Sequence, residues 1–334
     1  MVGPVIPDLA CDTIITHNTG YKGYVPLSSE RDARQYLQGA LCGLAAVSIW
    51  SGWIVVARLG LRTSLTPWDI AALRFGVAGM LLLPYLVKHG LAFDRLGWLG
   101  LAAIVLGGAG PVFFANSGLL FAPAAHAGAL FPGVMPLMVA LLAAALLNEV
   151  FTTGKKIGFA LILPGVLVIA WGSGGELGSL QNVGHGLFLC AALVWACYTV
   201  ALRKARLDGL HAAAISAVGS MILYLPVFTL LPGTTLAAAP WGDVALQAVV
   251  QGVFTAIISL LLYGRAVSIL GASSGAAFAA LCPAMTALLG IPVLGEWPGP
   301  FDWGAIGLIS AGVYIVSGGP IPRFAKWTAP RINT

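Results

Sequence analysis

Polar positions in this chain fall in short clusters, and hydrophobic ones fill the long segments between them. No Asp, Glu, Lys or Arg occurs from residue 96 to 148, and further charge-free runs cover 35–57, 177–202, 209–242 and 266–295. A helix needs about 20 mostly apolar residues to cross a bilayer, so each run holds one span and the longest holds two. The pattern predicts ten helices: 36–57, 67–87, 97–119, 123–147, 156–173, 184–203, 211–231, 244–267, 271–295 and 301–319. Pro67, Pro232 and Pro298 punctuate helix ends, where a missing amide donor is tolerated. The links near Ala122 and Gly271 are very short, which predicts two tight antiparallel hairpins.

The pattern also repeats. Residues 125–149 align without a gap to 272–296, an offset of 147 positions, and 11 of the 25 positions are identical. Pro136 matches Pro283 and Glu149 matches Glu296, and the register runs on to pair Gly165 with Gly312. Near the start of each half, Gly39, Trp50, Val55 and Arg58 align with Gly184, Trp195, Val200 and Arg203. Two copies of a five-helix unit, residues 36–173 and 184–319, are the architecture this implies.

Composition supports a membrane setting. The chain of 334 residues is 59% hydrophobic and 9% charged, where a soluble domain carries about 25% charged residues. A net charge of +5 raises nucleic acid as a partner, but the basic residues lie at span ends and form no patch. The five cysteines are scattered without metal-like spacing and read as buried thiols. Residues 1–35 lack the apolar centre of a signal peptide and read, with 320–334, as a cytosolic tail.

Lys and Arg accumulate in cytoplasmic loops of membrane proteins. With the amino terminus inside, the cytosolic segments hold 14 of them and the outer segments only Arg58 and Arg62, while Arg74 lies within a span. Five spans is an odd number, so the second copy enters the membrane upside down. Inverted five-helix repeats are a transporter architecture with a site expected near the midplane.

The chain at this point resembles the drug/metabolite transporter superfamily, in its bacterial EamA-type branch. The resemblance covers about 36–319 and is carried by SIWSGWIVVARLG, TPWDIAALRFGVAG, FFANSGLLFAPAAHAGALFPGVMPLM and the repeat endings LLNE and LGEWP. It implies ten helices around a central cavity and the export of metabolites, amino acids or drugs. The long amino-terminal tail departs from the compact family pattern.

Candidate cavity residues follow from polarity inside spans. Arg74, two turns into a helix, is costly enough to need a partner or a task. It is either an anchor for an anionic cargo group or a structural cation paired with Asp69 or backbone carbonyls, and its partial depth favours the second. His126 opens a core helix, where an imidazole can serve proton-linked gating. A bond to a carbonyl across the hairpin is the plainer reading and the favoured one. Trp50, Trp53, Trp195 and Tyr198 form an aromatic stripe on the paired first helices, suited to stacking an amphipathic cargo or to packing. Asn116, Ser117, Gln251, Thr255, Ser259, Tyr263 and Thr286 add hydrogen-bonding groups, some of which only join helices. Pro136 and Pro283, lying mid-helix, are expected to act as paired hinges. Glu149 and Glu296 end their helices at opposite faces in architectural roles, with Lys155 or Lys156 as a partner for Glu149.

All 12 acidic residues lie in tails, loops or span ends, which disfavours a proton pump built on a midplane acid. No phosphate-binding loop, catalytic constellation or metal set is present. The expected protein is a cofactor-free secondary transporter of a small molecule in the bacterial cytoplasmic membrane. Export is the favoured direction, import in the same fold the alternative, and a membrane enzyme or scaffold the distant third.

Overall fold

The computed structural model describes residues 30–148, 152–172, 179–270 and 277–317. Glu149 and the link at Gly271 lie outside them. Among the described residues every regular element is helical. The spans are α1 (Glu30–Thr63), α2 (Pro67–His89), α3 (Phe93–Gly118), α4 (Ala124–Leu147), α5 (Thr153–Gly172), α6 (Leu180–Ala205), α7 (Gly209–Phe228), α8 (Trp241–Leu270), α9 (Phe278–Leu294) and α10 (Pro300–Val316). Eight have the length and apolarity to cross a membrane as they stand, and α9 and α10 are shorter apolar helices. Large side chains such as Leu99, Leu106, Leu146, Leu223 and Leu230 remain outside on the bundle surface, the sign of a chain whose solvent is lipid.

Two breaks and a swelling interrupt the spans. Residues 131–134 form turns inside α4, separating Ala124–Leu130 from Met135–Leu147. In α9 a tight 3₁₀ turn, Phe278–Leu281, precedes Cys282–Leu294. Pro136 and Pro283 both sit in the first turn of the segment after the break, where a missing N–H costs nothing. They therefore start new helical segments and do not bend continuous ones. In α8, residues Ala248–Ile258 widen into a π-helix, a form found mostly at functional sites.

The packing between the halves obeys a two-fold exchange. Helices α2 with α7, α4 with α9 and α5 with α10 form mutual pairs, while α3 against α6 is matched by α8 against α1. Exchanging each helix with the one five places later maps this set onto itself. Small residues permit it: Gly184 faces Ala122 and the Gly118 carbonyl, while Gly39 faces Ile269 and Leu270. The short link 119–123 was expected to fold α3 and α4 into a hairpin, but α3 packs on α6 and α7 and α4 on α9 and α6. The close Gly118–Gly184 crossing holds α3 against α6 instead.

Helix α1 runs on past its expected end to Thr63. Arg58 and Arg62, one turn apart on one face, reach the same carboxylate. Glu296 accepts from Arg58 Nε at 3.0 Å and Arg62 at 2.5 Å, and its other oxygen accepts from the Ala124 N–H at 2.8 Å. Arg58 also donates to the Leu119 carbonyl. The carboxyl end of α1 and the amino end of α4 thus meet the carboxyl end of α9, so α4 and α9 run antiparallel.

Candidate functional site

The interior polar groups gather where α1, α2 and α8 face one another. Arg74 of α2 donates to Gln251 Oε1 at 3.3 Å, and its guanidinium lies 5.5 Å from the centre of the Trp53 ring. Both Gln251 and Trp53 are buried. Gln251 passes the chain on, donating to Gln247 Oε1 at 3.2 Å and to the Trp53 carbonyl at 3.5 Å, and Gln247 donates to the Val56 carbonyl. The wider π-helical pitch of α8 serves this arrangement: Thr255 bonds the carbonyl five residues back, at Val250. One turn along α1, Trp50 donates its indole N–H to Ser259 at 3.0 Å and its ring sits 5.0 Å from that of Tyr263. Trp53 meets Phe131, at the break in α4, edge to face at 6.3 Å.

Arg74 therefore does not pair with Asp69. That carboxylate, fully buried, caps its own helix by accepting from the Thr66 N–H and hydroxyl. It also holds the α7–α8 link through Thr235 and Leu236. Among the described residues no carboxylate forms an ion pair with Arg74. Its contacts are a neutral amide and an aromatic face.

Five sequence candidates, Trp50, Trp53, Arg74, Gln251 and Tyr263, come together here. The others lie elsewhere. Tyr198 is buried against Gly107 of α3, and its ring lies 5.3 Å from Trp195, which packs between the two main apolar clusters. Asn116 is fully buried on α3 with no hydrogen-bond partner for either amide atom among the described residues, at the repeat position of Tyr263 (116 and 147 make 263). Thr286 bonds its own helix at the Cys282 carbonyl and packs on Gly128 of α4, which makes it a helix-crossing residue.

His126 stands apart, at the Glu296 end of the bundle. It was expected to bond a carbonyl. Instead its Nδ1 lies 2.9 Å from Nε2 of His185 and 3.2 Å from Gln181 Nε2, and its Nε2 lies 3.2 Å from Asp302 Oδ1. His185 was missed in the sequence because nothing local marks it. Among the described residues no cluster of three or more metal-ligating side chains forms a metal site.

The comparisons with known proteins agree with this construction. The EamA-like transporter family matches the chain twice, over residues 37–171 and 182–318. The chain belongs to that family. Among its relatives, it is 30% identical over 245 residues to the uncharacterized transporter YyaM of Bacillus subtilis, covering 68% of this chain and 77% of the relative. It is 27% identical over 288 residues to the uncharacterized inner membrane transporter YedA of Escherichia coli, covering 84% and 90%. A solved structure titled "Crystal structure of protein" shares the fold, with a TM-score of 0.58 and 23% identity over 83% of this chain and 95% of that one.

Proposed function

We propose that this protein is a secondary transporter that exports a small metabolite, amino-acid-like or amphipathic compound across the bacterial cytoplasmic membrane by alternating access. The positive charge bias supports a cytosolic position for both termini and an outer position for the Glu296 end. The exchange of packing between two antiparallel halves supports rocking of one half against the other, with the breaks before Pro136 and Pro283 as paired hinges. Cargo sits between α1, α2 and α8, with the Trp50, Trp53 and Tyr263 rings as apolar walls and Gln251 as a polar contact.

One observation carries the reading: the Arg74 guanidinium lies inside the bundle with a neutral amide and a ring as its contacts. A cation in that place is expensive without a counter-charge. An anionic cargo group, such as a carboxylate, supplies it during transport. The test is counterflow in proteoliposomes across amino acids, organic acids, nucleosides and cationic drugs. Saturable flux is expected for at least one carboxylate-bearing class, and no flux for any class would overturn the proposal.

A further inference from the structure

The imidazole pair at the Glu296 end has a polarity that its bonds determine. The Asp302 carboxylate can only accept, so a neutral His126 carries its proton on the nitrogen that faces it. Nδ1 of His126 is then an acceptor, and its proton sits on Nε2, facing Asp302 Oδ1 at 3.2 Å. His185 must accordingly donate Nε2–H to that same Nδ1, across 2.9 Å. The far nitrogen of His185, Nδ1, is left with a bare lone pair. It is buried and has no partner among the described residues. Three elements supply the chain, α6, α4 and α10, and it runs from an unused acceptor to a carboxylate.

We propose that His185, His126 and Asp302 form a proton-accepting relay that controls the opening of the Glu296 end. A proton from hydronium, leaving water behind, adds to His185 Nδ1. The proton on His185 Nε2 passes to His126 Nδ1, while His126 keeps its Nε2 proton against Asp302, whose carboxylate is the weaker base. His185 ends neutral in its other tautomer, His126 becomes an imidazolium paired with the Asp302 carboxylate, and one proton has been bound.

The consequence falls on α10. Asp302 Oδ2 accepts from the Gly299 N–H at 2.8 Å and lies in the first turn of that helix, where a negative charge is favourable. The imidazolium on α4 pairs with that carboxylate and draws the start of α10 towards α4. Among the described residues the other charged groups at this end are Arg58 and Arg62 of α1, Asp69 of α2, Asp243 of α8 and Glu296 beyond α9. Together with Asp302 they make two cations against four anions, so proton uptake lowers a net negative charge beside the amino end of α4. The lowered repulsion further favours the closed arrangement. The proposal gives the transporter reading a driving ion, cargo leaving as a proton enters, but its test needs no cargo.

Spin labels at Leu180→Cys and Gly304→Cys, in a chain whose five native cysteines are replaced, report the separation of α6 from α10. Leu180 is exposed, and a side chain at position 304 meets open space. In nanodiscs the distance is expected to be shorter at about pH 5 than at about pH 8, either side of the ordinary imidazole range. The change is expected to vanish in His126→Gln and in His185→Gln. Equal distances at both pH values, or a change that survives both substitutions, would overturn the relay. Should the variants fail to fold, nitrogen-15 histidine spectra of the unsubstituted protein decide it. His126 is expected to gain a second ring proton and His185 to exchange tautomers across that range, and unchanged spectra would refute it. Flux failure with an intact distance change would overturn the cargo proposal alone.

Discussion

Gly165 of α5 lies against Ile309 of α10, and with the halves exchanged Gly312 lies against Ile162. A Cβ at Gly165 would fall 2.7 Å from Ile309 Cγ1 and 2.9 Å from the Ala305 carbonyl oxygen. A Cβ at Gly312 would fall 2.6 Å from Ile162 Cγ1 and 2.7 Å from the Gly158 carbonyl oxygen. All four contacts match at the 147-residue offset found in the sequence.

Gly165→Ala and Gly312→Ala are therefore expected to destabilise the protein alike, by about 1–3 kcal/mol of overpacking. Small residues let membrane helices approach at this distance. Thermal unfolding in detergent checks it, with Gly186→Ala, where a Cβ meets nothing within 4 Å, as the neutral control. Equal melting temperatures for all three variants would mean that the α5–α10 crossing is loose.

Glu296→Ala strips one acceptor from two arginines and from the Ala124 N–H. About 1–3 kcal/mol of stability is expected to be lost, because a half-buried cation and a helix start lose their partner. Arg62→Ala, which removes the more exposed partner, is expected to cost under about 1 kcal/mol. A larger effect for Arg62 than for Glu296 would reverse the ranking of the two contacts.

Asp69→Ala removes the cap of α2 and the tie to Thr235 and Leu236 together. The expected loss is about 2–4 kcal/mol, a cap plus buried donors left unmet. Proteolysis of the 229–240 link should accelerate in the same variant. Unchanged cleavage would show that the link is held elsewhere.

Orientation is open to labelling in cells. Trp241, exposed at the start of α8, and Lys204, at the opposite end of the bundle in the last turn of α6, are each replaced by cysteine in a cysteine-free background. A membrane-impermeant maleimide is expected to label the first from outside and not the second. The reverse pattern would invert the topology.

Much of the fold was legible because each span is selected by lipid, and apolar length records that directly. The repeat then supplied which helices correspond. What sequence could not supply was pairing across the bundle. Glu296 seemed to lack a cation because its arginines stand 238 and 234 positions away. Arg74 was set beside Asp69, near in sequence, while its amide partner Gln251 lies 177 positions on. The π-helical stretch of α8 left no trace in composition, since its residues would suit an ordinary helix equally well. Trp195 and Tyr198 mirrored Trp50 and Trp53 in the alignment, yet their setting differs because Gly107 receives the Tyr198 side chain on the α3–α6 contact.

The central claim is that Arg74 binds the anionic group of the cargo, and flux of the best carboxylate-bearing cargo through its variants measures that directly. In matched proteoliposomes, Arg74→Ala is expected to lower flux at least about tenfold, the loss of about 1.4 kcal/mol of interaction. Arg74→Lys, which keeps the charge and loses the planar fork, is expected to retain part of it. Full flux in Arg74→Ala would contradict the claim and leave Arg74 as a helix-bridging cation.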